Sequence, residues 1–163
     1  MKPSVYIETT IVSYLVGRLN PTDLNVAAHQ EITRRWWSRR RDEFELYASS
    51  LVIDEAANGD PSVAAERLRH LRDLSLLQVS QQAYALRSAL IRHTQIPPKA
   101  ENDALHIAVA TVHGMEFLIT WNCKHIANAM IFPQVYEVCR EAGFEPPLIC
   151  TPYELLGEYD EQV

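Results

Sequence analysis

The chain has 163 residues, of which 47% are hydrophobic, 22% are charged and only five are glycine. This balance is typical of one globular domain, which we expect to span residues 1–163, and it excludes disordered, collagen-like and low-complexity proteins. The three cysteines lack the paired spacing of a disulfide framework or a structural zinc site. No apolar stretch suits a membrane span or a secretory leader, so we expect a cytoplasmic protein with no membrane partner.

The net charge is uneven along the chain. Its formal value is −6, but the excess of acidic residues lies after residue 136, and the residues before that point are balanced. Five arginines also cluster at positions 34–41. Because a substrate responds to local charge, the overall acidity does not exclude a phosphate-bearing one.

The first part of the chain predicts a strand followed by two helices. Ser4–Ile7 is an apolar run typical of a buried strand, and the apolar spacing after it predicts a helix that ends near Gly17. Asn20, followed by a proline, predicts the start of a second helix that runs to about Arg41. The apolar stripe of this helix is expected to comprise Leu24, Ala28, Ile32 and Trp36.

Strands and helices alternate along the rest of the chain. Short apolar runs predict strands, whereas longer stretches with a helical period predict helices. The predicted strands cover residues 44–47, 76–79, 116–120 and 146–150; the predicted helices cover residues 50–57, 61–71, 81–92, 100–113 and 126–142, the last interrupted at Pro133. This alternation predicts an α/β fold of three layers, α/β/α, with a central parallel sheet of four to five strands.

Four polar side chains stand where predicted strands or helices begin or end, namely Glu8, Glu55, Asp103 and Asn122. A parallel sheet gathers its strand ends at one edge, so we expect all four to meet there. Three carboxylates in one cleft repel one another unless a cation lies between them, and a divalent metal ion is the common solution. Taken singly, Asp103 is more simply explained as an acid at a helix amino terminus, which contributes about 0.3–1 kcal/mol.

Three motifs and the opening residues carry a resemblance to a known family. The chain contains Ser49-x-x-x-x-x-Glu55, Asp103-x-x-x-Ile107-Ala108 and Leu118-Ile119-Thr120-x-Asn122, and Val-Tyr-Ile-Glu-Thr-Thr stands near its start. In this order and within this length, the chain resembles the PIN-domain nucleases, in particular the VapC-type toxins of toxin–antitoxin pairs. The resemblance spans nearly the whole chain.

The resemblance implies a metal-dependent endoribonuclease that acts as the toxin of a toxin–antitoxin pair. By matching position, Glu8, Glu55 and Asp103 would bind Mg²⁺ (or Mn²⁺), and Asn122 would complete the catalytic set. The implied partners are RNA, an antitoxin protein and a second copy of the chain. Glu8 replaces the usual aspartate and Asn122 the usual fourth acid, so we expect a tolerant ion such as Mn²⁺ to suit the site and a second ion to bind weakly.

Three residues around Asn122 are expected to contact the substrate, namely Thr120, Lys124 and His125. Their hydroxyl, ammonium and imidazole groups suit a phosphate or the groups that hold it. His106 lies three residues after Asp103 on the same predicted helix face. It is either a partner of the metal site or an ordinary hydrogen-bonded helix residue.

The basic segment at positions 34–41 offers a further substrate contact, for which we select Arg39. Arginines can bind phosphates, and tryptophans can stack on bases. Trp36, however, falls on the predicted apolar stripe and is more simply explained as a core residue. The neighbouring arginines are also explained by pairing with the acids that follow them.

Two other hypotheses remain open. One is a PIN-like module that binds RNA or a protein partner and has weak or lost nuclease activity, which the departures at Glu8 and Asn122 favour. The other is an unrelated small α/β hydrolase that uses the same acids.

Overall fold

A sheet of five parallel strands lies at the centre of the protein, which we describe over residues 1–157 from a computed structural model. The strands lie in the order β3-β2-β1-β4-β5, so β1 occupies the middle. Their bounds are Ser4–Ile7 (β1), Glu45–Ser49 (β2), Ser75–Leu77 (β3), Phe117–Ile119 (β4) and Leu148–Cys150 (β5). The chain fills one side of β1 before crossing to the other, and such a switch leaves a crevice at the carboxyl ends of the central strands.

Seven α-helices flank this sheet within the described residues. They are Thr9–Val16 (α1), Leu24–Arg39 (α2), Ser50–Ala56 (α3), Pro61–Leu71 (α4), Gln81–His93 (α5), Glu101–Val112 (α6) and Phe132–Glu141 (α7), with 3₁₀ turns at Arg41–Glu43 and Pro98–Ala100. Helix α1 packs against α2, α3 and α4, helix α3 also packs against α4, and α5 packs against both α6 and α7. The predicted α/β/α fold with a parallel sheet is therefore confirmed.

Burial is deepest at the middle of the sheet and along α6. Val5, Tyr6 and Ile7 of β1 are fully buried, and α6 is buried continuously from residue 104 to residue 111. A helix that is apolar on all sides must lie inside the protein. Asp103 stands one residue before this buried stretch, where α6 emerges at the carboxyl edge of the sheet.

The predicted start of α2 is wrong, and its predicted apolar stripe is right only in the second half of the helix, where Ile32 packs against the core and Trp36 is buried. Asp23 caps the helix through its Oδ1 atom, whereas Asn20 Oδ1 accepts hydrogen bonds from the turn that precedes it. Leu24, at the first position of α2, is 82% exposed. The buried face contains Gln30 and Thr33, which hydrophobicity could not indicate because each is buried through a hydrogen-bond partner.

The helix predicted over residues 126–142 begins later, at Phe132. The preceding residues form turns, in which the Asn122 carbonyl accepts from the Ile126 and Ala127 amides and Asn128 Oδ1 accepts from the Met130 amide. Asparagine side chains compete with helical hydrogen bonds in this way. The proline predicted to interrupt the helix instead stands in its first turn, where its missing N–H costs nothing.

The remaining predicted elements are close to those observed. Trp36 is fully buried, as expected for a core residue. Within residues 1–157, no helix combines the length and the apolar character that crossing a lipid bilayer requires.

Candidate active site

Glu8 joins the central strand to the first helix. It follows β1 and caps α1, because its Oε2 atom accepts a hydrogen bond of 3.0 Å from the Thr10 amide. The same oxygen accepts from the hydroxyls of Thr10 and, at 2.8 Å, of Thr120 on the neighbouring strand end. Glu8 is only 4% exposed. A carboxylate can remain there because these donors replace the water it has lost.

Glu55 lies on α3 and meets both the first helix and α6. Its Oε1 atom accepts from the Thr9 hydroxyl and lies 2.6 Å from His106 Nε2. Burial works to raise the pKa of Glu55, but the hydrogen bond and charge of His106 and the Thr9 hydroxyl outweigh it. The pKa of the Glu55 carboxyl therefore lies below its ordinary value, and the group is ionised at neutral pH.

Asp103 and Asn122 are joined through His125. The Nδ1 atom of His125 lies 2.9 Å from Asp103 Oδ2, and its backbone amide donates to Asn122 Oδ1 at 3.0 Å. The Asn122 amide in turn donates to the Thr120 hydroxyl at 2.9 Å. Asn122 thus holds the loop after β4 in a shape that presents an imidazole to Asp103.

These hydrogen bonds and two short stretches of chain together form a ring. The hydrogen bonds run from Glu8 through Thr120, Asn122 and His125 to Asp103, and from His106 through Glu55 to Thr9. One turn of α6 joins Asp103 to His106, and Thr9 directly follows Glu8 in the chain. We call these eight residues the polar circuit. The structure therefore brings Glu8, Glu55, Asp103 and Asn122 to one edge of the sheet, as the position of strand ends predicted.

The predicted substrate contacts separate into two groups. Thr120 and His125 belong to the polar circuit, and Lys124 is exposed in the same turn. Arg39 is not brought to this edge. Arg39 is the last residue of α2, which is about 24 Å long at 1.5 Å per residue. At that end of the helix, Trp36 packs against Phe44, which directly precedes β2 and so lies at the amino edge of the sheet, opposite the site.

Some residues around the site were not selected from the sequence. Thr9 and Thr10 hold the two glutamates, and Tyr6 and Ser49 lie behind His106. The two threonines directly after Glu8 at a helix start were a visible signal. The hydroxyls of Tyr6 and Ser49 fall within the motifs, but nothing local indicated that they meet each other and His106, because these partners lie 43 and 100 residues apart along the chain.

The donor chemistry of the site fits a hard divalent cation. Each of the three acids, Glu8, Glu55 and Asp103, engages one oxygen in the polar circuit, while its other oxygen accepts no hydrogen bond from the residues that the structure describes. Carboxylate oxygens are the ligands that Mg²⁺ and Mn²⁺ prefer. Over residues 1–157, however, no three Asp, Glu, His or Cys side chains already form a metal-binding group. An ion shared by these acids would therefore require their side chains to lie closer together than they do in this structure.

Comparison with known proteins decides the family. The family model described as PIN domain matches residues 5–124. The chain belongs to the PIN domain family. The matched segment begins in β1 and ends in the loop after Asn122, so it contains every member of the polar circuit except His125, one residue beyond it.

Two solved structures share the fold of this PIN domain protein. The VapC20 toxin of Mycobacterium tuberculosis, which cleaves the sarcin–ricin loop, is 18% identical, with a TM-score of 0.54 over 75% of this chain and 92% of its own. VapBC2 of Rickettsia felis, solved bound to a DNA fragment from its promoter, is 16% identical, with a TM-score of 0.51 over 74% of this chain and 89% of that one. The search of curated proteins gave no match.

Proposed function

We propose that this PIN domain protein is a metal-dependent endoribonuclease that hydrolyses RNA phosphodiester bonds. The observation that supports the proposal is the polar circuit, which gathers three carboxylates and one amide at the carboxyl edge of a parallel sheet. Acids are rarely concentrated at a half-buried position without a cation or a charged substrate. A site of this kind is suited to phosphoryl chemistry, in which negative charge develops on phosphate oxygens.

Glu8, Glu55 and Asp103 would hold the ion through the oxygens that the circuit leaves available. A bound Mg²⁺ or Mn²⁺ would acidify a water and offset the charge of the phosphate. Glu55, which is ionised at neutral pH, is suited to orient an attacking water or accept its proton. As the water oxygen bonds to phosphorus, the bond from phosphorus to the ribose oxygen would break, and the released oxygen would take a proton from the solvent.

Asn122 would act as a hydrogen-bond donor. Its Oδ1 atom is engaged by the His125 amide, so its side-chain NH₂ group is the part that can bind a phosphate oxygen. Lys124 adds a cation in the same turn, and its ammonium forms no ion pair with the described residues. These two residues would position the phosphate of the substrate, while His125 steadies Asp103.

We also propose that the protein is the toxin of a toxin–antitoxin pair, acting in the cytoplasm as a homodimer. The fold similarity to VapC20 and VapBC2 supports this assignment. Two observations test it: a small antitoxin-like reading frame beside the gene, and growth arrest on expression that co-expression of that neighbour relieves. Light scattering after size exclusion tests the dimer.

The nuclease itself is tested with a fluorogenic RNA and added Mg²⁺ or Mn²⁺. We expect cleavage that stops with a chelator and falls by about 100-fold or more in Asp103→Asn and Glu55→Gln, since each removes a charged group from the reacting centre. Asp54→Asn, which neutralises an exposed acid next to Glu55, should retain activity. RNA binding without cleavage at any metal concentration would instead establish the binding-module alternative.

A further inference from the structure

A buried chain of hydrogen bonds leads from Glu55 into the core. His106 Nδ1 lies 2.8 Å from the Tyr6 hydroxyl, which lies 2.8 Å from the Ser49 hydroxyl. Ser49 Oγ accepts from the Val52 amide at 3.5 Å, because Ser49 is the N-cap of α3. We call Ser49, Tyr6 and His106 the buried relay. All three residues are fully buried.

The direction of these hydrogen bonds follows from the chemistry of the groups. An ionised carboxylate only accepts, so His106 Nε2 carries the proton that Glu55 receives. In a neutral ring, Nδ1 accepts from the Tyr6 hydroxyl and Tyr6 accepts from Ser49, whereas in a protonated ring both of these hydrogen bonds run in the opposite direction. Either direction gives each of these groups one partner, and for a neutral ring the contact with Glu55 selects a single tautomer.

The relay begins and ends on the same helix. Val52 at its start and Glu55 at its end are both on α3, one turn apart, while Tyr6 is on β1 and His106 is on α6. Three separate elements of the fold therefore fix the position of one carboxylate. Burying a histidine, a tyrosine and a serine in a core is costly unless every polar atom is paired, so the arrangement is a specific one.

We infer that His106 is a positioning residue that holds the Glu55 carboxylate toward the metal and substrate, and that Tyr6 and Ser49 fix the tautomer and orientation of its ring. The inference rests on the proposed function for the part that Glu55 plays in metal binding. Glu55 Oε1 is held by His106 and Thr9, while Oε2 accepts no hydrogen bond from the described residues and is available to an ion. Supporting partners of this kind usually change metal affinity or activity by 10- to 100-fold.

The first arm of the test measures Mn²⁺ affinity by calorimetry in folded variants. We expect His106→Leu and Tyr6→Phe to weaken Mn²⁺ binding by about tenfold or more, since the first removes the donor and the second releases the ring. His106→Gln should stay within about threefold of wild type, because its side-chain N–H can replace the Nε2 donor. The control is His113→Leu at the C-cap of the same helix, where the imidazole contacts the Gln78 carbonyl and no member of the buried relay.

A second arm needs neither metal nor RNA. The Nε2–H of the fully buried His106 ring should give a downfield, slowly exchanging proton resonance in the metal-free protein. We expect this resonance to disappear in His106→Leu and to shift or broaden in both Glu55→Gln and Tyr6→Phe. A purely structural role for the histidine would leave metal affinity unchanged once the variants had folded.

The two arms separate the inference from the proposed function. If the wild-type protein shows the resonance but binds no Mn²⁺ and cuts no RNA, the positioning of Glu55 is supported and the nuclease proposal is wrong. If cleavage depends on metal but His106→Leu and Tyr6→Phe bind Mn²⁺ with wild-type affinity, the nuclease proposal is supported and the inference is wrong. Absence of a resonance that depends on Glu55 also overturns it.

Discussion

Thr120→Val removes one hydroxyl from the polar circuit without changing the size of the side chain. Thr120 is fully buried, donates to Glu8 Oε2 at 2.8 Å and accepts from the Asn122 amide at 2.9 Å. A hydrogen bond to a charged group contributes about 1.5–3 kcal/mol, and an amide left without a partner costs about 1–3 kcal/mol. Because Glu8 keeps its donors from Thr10, we expect a loss of about 2–4 kcal/mol in the free energy of unfolding.

The matched control is Thr111→Val on α6. Thr111 is also buried, but its hydroxyl donates to the Ile107 carbonyl, which is the i−4 carbonyl of its own helix. No charge is involved and the carbonyl keeps its helical partner, so we expect a loss of about 1 kcal/mol or less.

Urea unfolding followed by circular dichroism measures both variants. A lower midpoint with an unchanged slope reports stability rather than a change in the unfolded state. If Thr120→Val is as stable as wild type, or costs no more than Thr111→Val, the hydroxyl does not compensate the buried charge of Glu8 and our description of the circuit is wrong.

Three further predictions use the same unfolding assay or simple chemistry. Ile107→Ala should lower the free energy of unfolding by about 2–5 kcal/mol, because the Ile107 side chain is fully buried. Leu24→Ala should change it by less than about 0.5 kcal/mol, because Leu24 is exposed. Equal losses in the two variants would contradict the observed exposure of Leu24 on α2. Burial works to raise the pKa of Glu55, but the hydrogen bond and charge of His106 outweigh it and lower the pKa in the folded protein. Ionised Glu55 therefore stabilises the fold at pH values above its ordinary pKa of 4.5. That contribution is lost as pH falls through the lowered pKa, so the stability advantage of wild type over Glu55→Gln should shrink as pH drops from about 6 to about 3, and a gap that widens would show the opposite shift. Burial raises the pKa of all three cysteine thiols, but only Cys123 is exposed. With a thiol reagent at neutral pH, Cys123 alone should therefore react in the folded protein, and the other two cysteines should react after unfolding.

Much of the fold follows from periodicity that is visible in the sequence. The apolar run at Ser4–Ile7 and the proline after Asp60 mark β1 and the start of α4 close to where they occur. The apolar face of α2 could not be predicted in the same way. Gln30 and Thr33 are buried through partners in distant segments, the Arg18 carbonyl and the Trp121 indole, and no local pattern reveals such pairs.

The site shows the same division between local and distant information. Glu8 and Asn122 could be selected because each follows a strand, and strand ends meet at one edge of a parallel sheet. The supporting hydroxyl of Tyr6 could not, because it meets His106 across 100 residues of sequence. Arg39 was selected from local charge, which carries no information about which end of α2 faces the site.

The proposed sharing of one metal ion is tested most directly by Mn²⁺ calorimetry on wild type and on Glu8→Gln, Glu55→Gln and Asp103→Asn, with Asp54→Asn as the control. These exchanges preserve side-chain size and remove one charge each, and circular dichroism verifies that each variant is folded. We expect Mn²⁺ to bind wild type and the control with similar affinity. Each of the three variants should bind Mn²⁺ with an affinity that is lower by at least about tenfold. Wild-type affinity in all three variants, or no Mn²⁺ binding by the wild-type protein, would contradict the proposal that these acids share one ion.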